Sequence, residues 1–224
     1  MNQRELCSIL ARHRGDAPAV TSPGTPAYDL YEIAPEQMTL YQMELGYATA
    51  VCLGYALRVP GEKIVAVEGD GSMLAGLATL STVGRYRPPG LIVLVVNNGC
   101  YGAVQDARHP AFPSATQSGT DLAAAARSCG ITRAVTVNTA SEAEEAITRA
   151  FAGPGPWFID ARVERSAPAH AEPGDPRLRG TGPYKPDVHD NALEFAREMR
   201  RRGARRRAAS ASVNRPHPPE RPPP

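Results

Sequence analysis

Two short runs in this chain carry residue types that can do chemistry. Gly69-Asp70-Gly71-Ser72 sets a hard carboxylate oxygen between two glycines, and Asn97-Asn98-Gly99-Cys100 offers amide and backbone carbonyl oxygens. Glycine lets a backbone approach a ligand closely. The residues after Gly71 open a predicted helix, whose first N–H groups and positive dipole end favour an anion. A carboxylate, an amide oxygen and a carbonyl oxygen suit Mg²⁺ or Ca²⁺, which complete their shells from phosphates and water. Each run alone is a common turn. Together, at two strand ends, they point to a metal–diphosphate site.

The elements that must position these runs alternate between strand-like and helix-like segments. Lys63 to Glu68 is a β-branched run of strand length that Gly69 breaks, and Leu91 to Val96 is a second, ended by Asn97-Asn98-Gly99. Between them residues 73–85 read as one helix, stopped by Pro88-Pro89-Gly90. The spacing predicts further helices over 2–13, 46–57, 121–129 and 140–152, and further strands over 18–21, 131–137 and 157–163. Ser22-Pro23-Gly24-Thr25-Pro26 reads as a turn. Strands of this length alternating with helices indicate parallel βαβ units. Unbroken apolar strands fit a sheet covered on both faces. The expected fold is therefore α/β, an open parallel sheet with helices on both faces, in which ligands sit at the carboxyl ends of the strands. The stretch 99–119 lacks periodicity, and so long a loop in a compact domain is usually functional or mobile.

The 224 residues are 42% hydrophobic and 21% charged, enough for one sizeable core. A net charge of +2 argues against a body built mainly to grip nucleic acid. That charge is uneven: from Asn191 onward nine Arg face three Glu, which leaves residues 1–190 at −4. Thirteen of the 22 prolines follow residue 153. These shifts divide the chain into a domain over 1–165, a Pro/Gly-rich linker over 166–190, and a basic, Pro-rich tail over 191–224. The tail is expected to be largely disordered, although residues 191–207 could form a basic helix. The longest strongly apolar run, Leu91 to Val96, is far too short to span a membrane. The N-terminal MNQRELCSILARHRGD mixes charges through its apolar positions, unlike a secretory signal. Cys7, Cys52, Cys100 and Cys129 contain no CxxC pair, which argues against a disulfide framework and a zinc site. The expectation is a soluble, cytoplasmic protein.

Gly-Asp-Gly, 25 residues, then Asn-Asn is similar to the thiamine diphosphate fingerprint. The wider run EGDGSMLAGLATLSTVGRYRPPGLIVLVVNNGCYG resembles the sulfopyruvate decarboxylase β subunit and the matching half of phosphonopyruvate decarboxylase, over residues 1–165. The resemblance implies thiamine diphosphate and Mg²⁺ as cofactors. It assigns Mg²⁺ to the side chains of Asp70 and Asn98 and the carbonyl of Cys100. It assigns the cofactor's diphosphate oxygens to Gly71 and Ser72, with Gly69, Gly46 and Tyr101 as further cofactor contacts. Met43-Glu44-Leu45-Gly46-Tyr47-Ala48 matches the family's cofactor wedge. Leu45 would bend the cofactor so that its 4′-amino group nears the thiazolium C2, and the Met43 carbonyl would hold that amino group. Thr25, just beyond the strand predicted to end at residue 21, is a further candidate lining residue. Gln105, Arg108 and His109 could recognise an anionic substrate, since a guanidinium pairs well with carboxylate, sulfonate or phosphonate.

Members of this family need a glutamate on the pyrimidine N1′, supplied by a separate pyrimidine-binding domain. Glu44 and Glu68 do not stand where that glutamate belongs, so the resemblance implies a partner subunit that brings it. Glu68 reads as structural or close to the metal. The implied function is the diphosphate-binding subunit of a split thiamine diphosphate-dependent decarboxylase, which releases CO₂ and an aldehyde from a small 2-oxo acid. The alternatives are a subunit of a carboligase that forms acyloins or acetohydroxy acids, and a catalytically silent platform subunit.

Overall fold

The unbroken apolar runs become the central strands of a six-stranded parallel sheet. The computed structural model describes residues 1–101, 112–164 and 187–213. Its strands are β1 (Ala19–Thr21), β2 (Thr39–Leu40), β3 (Ile64–Gly69), β4 (Leu91–Asn97), β5 (Cys100–Tyr101), β6 (Phe112–Pro113), β7 (Arg133–Val137) and β8 (Trp157–Arg162). The main sheet has the order β2-β1-β3-β4-β8-β7, and β5 and β6 form a separate antiparallel ribbon. The helices are α1 (Gln3–Arg14), α2 (Thr25–Ile33), α3 (Ala48–Arg58), α4 (Asp70–Ala75), α5 (Thr79–Tyr86), α6 (Leu122–Ser128), α7 (Ala140–Ala152) and α8 (Val188–Val213).

Every residue of β4 is buried, as are all but the last of β3 and β8. Their side chains alternate between two cores. Val65, Val67, Ile92 and Leu94 pack with buried residues of α1, α2 and α7. Ala66, Leu91, Val93 and Val95 pack with those of α3, α5 and α6. Helices thus cover both faces, as the strands without polar alternation require. Helix α7 keeps its expected bounds because Thr139 and Glu142 form a reciprocal capping box at its start.

Three elements depart from expectation. Ser22-Pro23-Gly24 is a turn, but Thr25 already opens α2, with proline in the first turn, where its missing N–H costs nothing. The single helix expected over 73–85 is two helices, α4 and α5, separated by residues 76–78. At Gly76 the backbone lies against Gly46, and a Cβ there would run into the Gly46 carbonyl oxygen and stand 2.9 Å from its Cα. Close backbone contact, not propensity, sets this break.

The third departure concerns the tail. Residues 165–186 and 214–224, which include most of the expected linker and the proline-rich end, lie outside the described residues. The basic helix possible over 191–207 is present within α8, which starts earlier, at Val188; its docking on the body is the departure from expectation. Phe195 is buried in the core that α3 helps to form. The Asn191 amide binds the edge of β2, with Oδ1 accepting from Tyr41 N at 3.0 Å and Nδ2 donating to Thr39 O at 2.9 Å. Arg206 pairs with Glu62 at 3.1 Å. The buried phenylalanine and the strand-like asparagine give the helix its docking face, and Arg202, donating to Asp16 O at 2.8 Å, and Arg206 add contacts further along it. Asn191→Ala is expected to cost about 1–2 kcal/mol by leaving the strand's edge groups short of a partner. Hydrogen-exchange mass spectrometry checks this as faster exchange in α8. Among the described residues, no helix is long and apolar enough to cross a membrane.

Candidate functional site

Strands β3 and β4 pair with Gly69 opposite Val96, so the residues after each strand emerge side by side at the carboxyl edge of the sheet. Asp70 follows Gly69 and is 1% exposed. Ser114 Oγ and Thr116 Oγ1 both donate to its Oδ2, the latter at 2.9 Å, and the two hydroxyls stand 2.6 Å apart. Among the described residues no donor reaches Oδ1. One carboxylate oxygen is therefore anchored, and the residue lines a pocket.

The paired asparagines have separate duties. Asn97 is buried and faces inward. Its Nδ2 donates to Asp160 Oδ1 at 2.7 Å, and its Oδ1 accepts from Thr116 Oγ1 at 3.1 Å and Gly99 N at 3.2 Å. Asn98 lines the pocket, with its Oδ1 accepting from Cys100 N at 2.9 Å across a tight turn. Gly99 sits in that turn at φ +74°, a conformation that glycine adopts without strain. The Cys100 thiol points to the Asn98 carbonyl at 3.6 Å. Asp160 is fully buried within β8, its Oδ2 3.3 Å from Arg162 Nε. Burial pushes its carboxyl above the ordinary range, while Asn97 and Arg162 pull it back.

The pocket lies at the ends of β1, β3 and β4. It gathers Leu45, Gly69, Asp70, Gly71, Ser72, Asn98, Cys100 and Tyr101 from the sequence-derived candidates, together with Thr25. Thr25 donates its hydroxyl to Gln3 Oε1 at 2.9 Å. Gly71 lies close under the Tyr101 ring: a Cβ there would stand 2.5 Å from Cε1 and push the ring aside. Leu45 is 42% exposed at the pocket, and Tyr47 and Tyr101 are exposed as well.

Two expected contacts sit behind the pocket wall. Gly46 does not line the pocket; its N–H donates to Ser72 Oγ at 2.9 Å. Met43 is absent from the lining too; its N–H donates to Thr21 O at 2.7 Å and its side chain packs on the core. Ser72 lines the pocket, but its hydroxyl is engaged twice, accepting from Gly46 and donating to Glu68 Oε2 at 2.6 Å. Only its backbone remains for a ligand. Glu68 is fully buried, and its Oε1 accepts from Thr49 N at 2.8 Å and Thr49 Oγ1 at 2.9 Å, which satisfies a donor at the start of α3. Burial raises the Glu68 carboxyl above its usual range, and the Ser72 and Thr49 hydrogen bonds pull it back. Glu68 is thus structural, and Glu44 is exposed. Ser72→Ala would strand the Gly46 N–H and one Glu68 oxygen, so a loss of about 1–3 kcal/mol is expected, read by urea unfolding. Gln105, Arg108 and His109 lie outside the described residues.

Ser114, Thr116 and Asp160 escaped the sequence reading. Two hydroxyls spaced i, i+2 in an aperiodic stretch carry no chemical signature. The available signal was the length of the 99–119 loop, whose far end returns through β6 onto β5 and brings Ser114 to Asp70.

Residues 27–161 match the family profile described as thiamine pyrophosphate enzyme, C-terminal TPP binding domain. The chain belongs to this family. It is 32% identical to a phosphonopyruvate decarboxylase of Streptomyces viridochromogenes over 69% of this chain and 38% of that protein. It is 27% identical to a sulfopyruvate decarboxylase subunit beta of Methanococcus maripaludis over 73% of this chain and 84% of that subunit. Among solved structures it is similar to the thiamine diphosphate-dependent 4-hydroxybenzoylformate decarboxylase of Rhodococcus jostii RHA1. The TM-score is 0.59 at 22% identity, covering 73% of this chain and 33% of that one. The chain thus spans well under half of the phosphonopyruvate decarboxylase and most of the beta subunit. Leu45, Asp70, Asn98, Tyr101, Thr116 and Asp160 all fall inside the thiamine pyrophosphate enzyme match, whereas α1 and α8 fall outside it.

Proposed function

We propose that this chain is the diphosphate-binding subunit of a split thiamine diphosphate-dependent 2-oxo acid decarboxylase, active with a partner subunit. The observation that carries the reading is the anchored Asp70, with one oxygen held by Ser114 and Thr116 and the residue set beside Asn98 in the pocket. A carboxylate, an amide oxygen and a carbonyl form a hard donor set that fits Mg²⁺ with phosphate oxygens completing the shell. Asp70, Asn98 and the Cys100 carbonyl would hold the metal. The backbone at Gly69, Gly71 and Ser72 would receive the diphosphate, with the Tyr101 ring packed close against Gly71. Leu45, exposed at the pocket, suits the wedge role. When bound, the cofactor supplies the electron sink for loss of CO₂. This chain's own residues bind it, orient it and exclude water from its charged end.

The exposed Leu45, Tyr47 and Tyr101 support a partner chain that covers the pocket and brings the glutamate for the pyrimidine ring. All four cysteines are free thiols, which suits the cytoplasm. The test is purification of the chain from its own cells, mass spectrometry of what co-elutes, and assay of the assembly with sulfopyruvate and phosphonopyruvate. A stoichiometric partner carrying a pyrimidine-binding domain, with Mg²⁺-dependent CO₂ release and an aldehyde product, is expected. A chain that elutes as a homodimer and neither binds thiamine diphosphate nor releases CO₂ would sink the reading. Acyloin in place of aldehyde would move the assignment to carboligation.

A further inference from the structure

A line of polar groups, buried from Asp160 onward, runs from the sheet to the anchored carboxylate. It starts at Arg162 and Asp160 on β8, crosses to Asn97 at the end of β4, passes to Thr116 and ends on Asp70. Asp160 and Asn97 sit on neighbouring strands, and each step after the Arg162 pair is 3.1 Å or less, with the single Thr116 proton shared between Asn97 Oδ1 and Asp70 Oδ2.

The orientation of the Asn97 amide is set from both ends. The Asp160 carboxylate, paired with Arg162, accepts and so demands the amide NH₂. The Gly99 N–H on the other side donates and so demands the amide oxygen. With the oxygen facing Thr116, that hydroxyl has two acceptors, Asn97 Oδ1 and Asp70 Oδ2, and its neighbour Ser114 supplies a second proton to Asp70. A flipped amide would set its NH₂ against the Gly99 N–H and its oxygen against Asp160.

We infer that Asp160 is a positioning residue for the metal-binding turn: by fixing the Asn97 amide it holds both the Asn98–Cys100 turn, through Gly99, and the Asp70 carboxylate, through Thr116. Asp160 does not line the pocket and acts through Asn97, as outer hydrogen-bond partners orient ligands in metal sites generally. The inference rests on the metal–diphosphate reading of the pocket.

The test uses Mn²⁺ in place of Mg²⁺, with thiamine diphosphate saturating, on the chain as isolated with its co-purifying partner. Free Mn²⁺ is read by electron paramagnetic resonance. Asp160→Asn keeps the shape but removes the charge that forbids the flip, and Thr116→Val removes the hydroxyl at similar volume. Each is expected to raise the Mn²⁺ Kd about tenfold, the lower end of outer-partner effects. The double variant is expected to lose little more than either single one, because both cut the same line. A merely structural role would lower the melting temperature without this coupling. Folded single variants with Kd within twofold of wild type overturn the inference, as do losses that multiply in the double variant. If Asp160→Asn does not fold, Thr116→Val paired with Asn97→Ala carries the same cycle and the same outcomes. A wild-type assembly that binds neither Mn²⁺ nor thiamine diphosphate overturns the metal–diphosphate reading and this inference with it.

Discussion

Asp70→Asn is expected to abolish Mg²⁺-dependent binding of thiamine diphosphate while the chain stays folded. The substitution changes one atom, yet the surroundings decide which way the new amide points. Ser114 and Thr116 both donate to one carboxylate oxygen, so the carbonyl oxygen of the introduced amide takes that place. The amide NH₂ is then presented to the pocket, where it repels a cation instead of ligating it. The expected loss of affinity is on the order of 100-fold or more, above the range for outer partners alone. Fold stability without cofactor changes little, because both hydroxyls keep an acceptor. Titration calorimetry with thiamine diphosphate and Mg²⁺, beside a melting curve of the cofactor-free chain, checks both halves. An Asp70→Asn variant that binds the pair as wild type does would remove Asp70 from the metal.

Gly76→Ala is the second large effect, and it acts without touching the pocket lining. The new Cβ would collide with the Gly46 carbonyl oxygen and crowd its Cα at 2.9 Å. Neither side yields easily. Gly46 sits at φ +84° with its own Cβ direction blocked by Gly76 N at 2.8 Å, and its N–H is tied to Ser72. The loop bearing Leu45 must therefore move away from α4, breaking the Gly46–Ser72 bond. Overpacking of this kind costs about 1–3 kcal/mol, and the lost hydrogen bond adds about 1 kcal/mol. A lower midpoint in chemical unfolding is expected, together with at least tenfold weaker cofactor binding, since Leu45 leaves the pocket with its loop. Unfolding by urea and calorimetric titration measure the two. Wild-type cofactor affinity in a folded Gly76→Ala chain would show that the Leu45 loop does not serve the cofactor.

The sheet and its two functional strand ends can be read from the chain alone. β3, β4 and β8 are legible because a strand buried on both faces must be apolar throughout, and Gly69 and Asn97-Asn98-Gly99 end two of these strands with residues that favour turns. The family resemblance names the cofactor for the same reason: Asp70 and Asn98 are local signatures at fixed spacing. What lies between sequence-distant groups is not legible. The break between α4 and α5 comes from Gly46, 30 positions away, and a helical pattern cannot report a backbone contact from outside its own window. Ser72 reads as a phosphate ligand, but in the fold Glu68 and Gly46 engage its hydroxyl. Ser114 and Thr116 read as loop residues, but the ribbon of β5 and β6 folds them onto Asp70. The α8 tail reads as a solvated appendage because it is basic and Pro-rich, yet in the fold Phe195 enters the core and Asn191 binds β2, with Arg202 and Arg206 adding contacts to the body. Composition and periodicity register what a residue prefers; which hydrogen-bond partner claims it first depends on the groups that folding brings beside it.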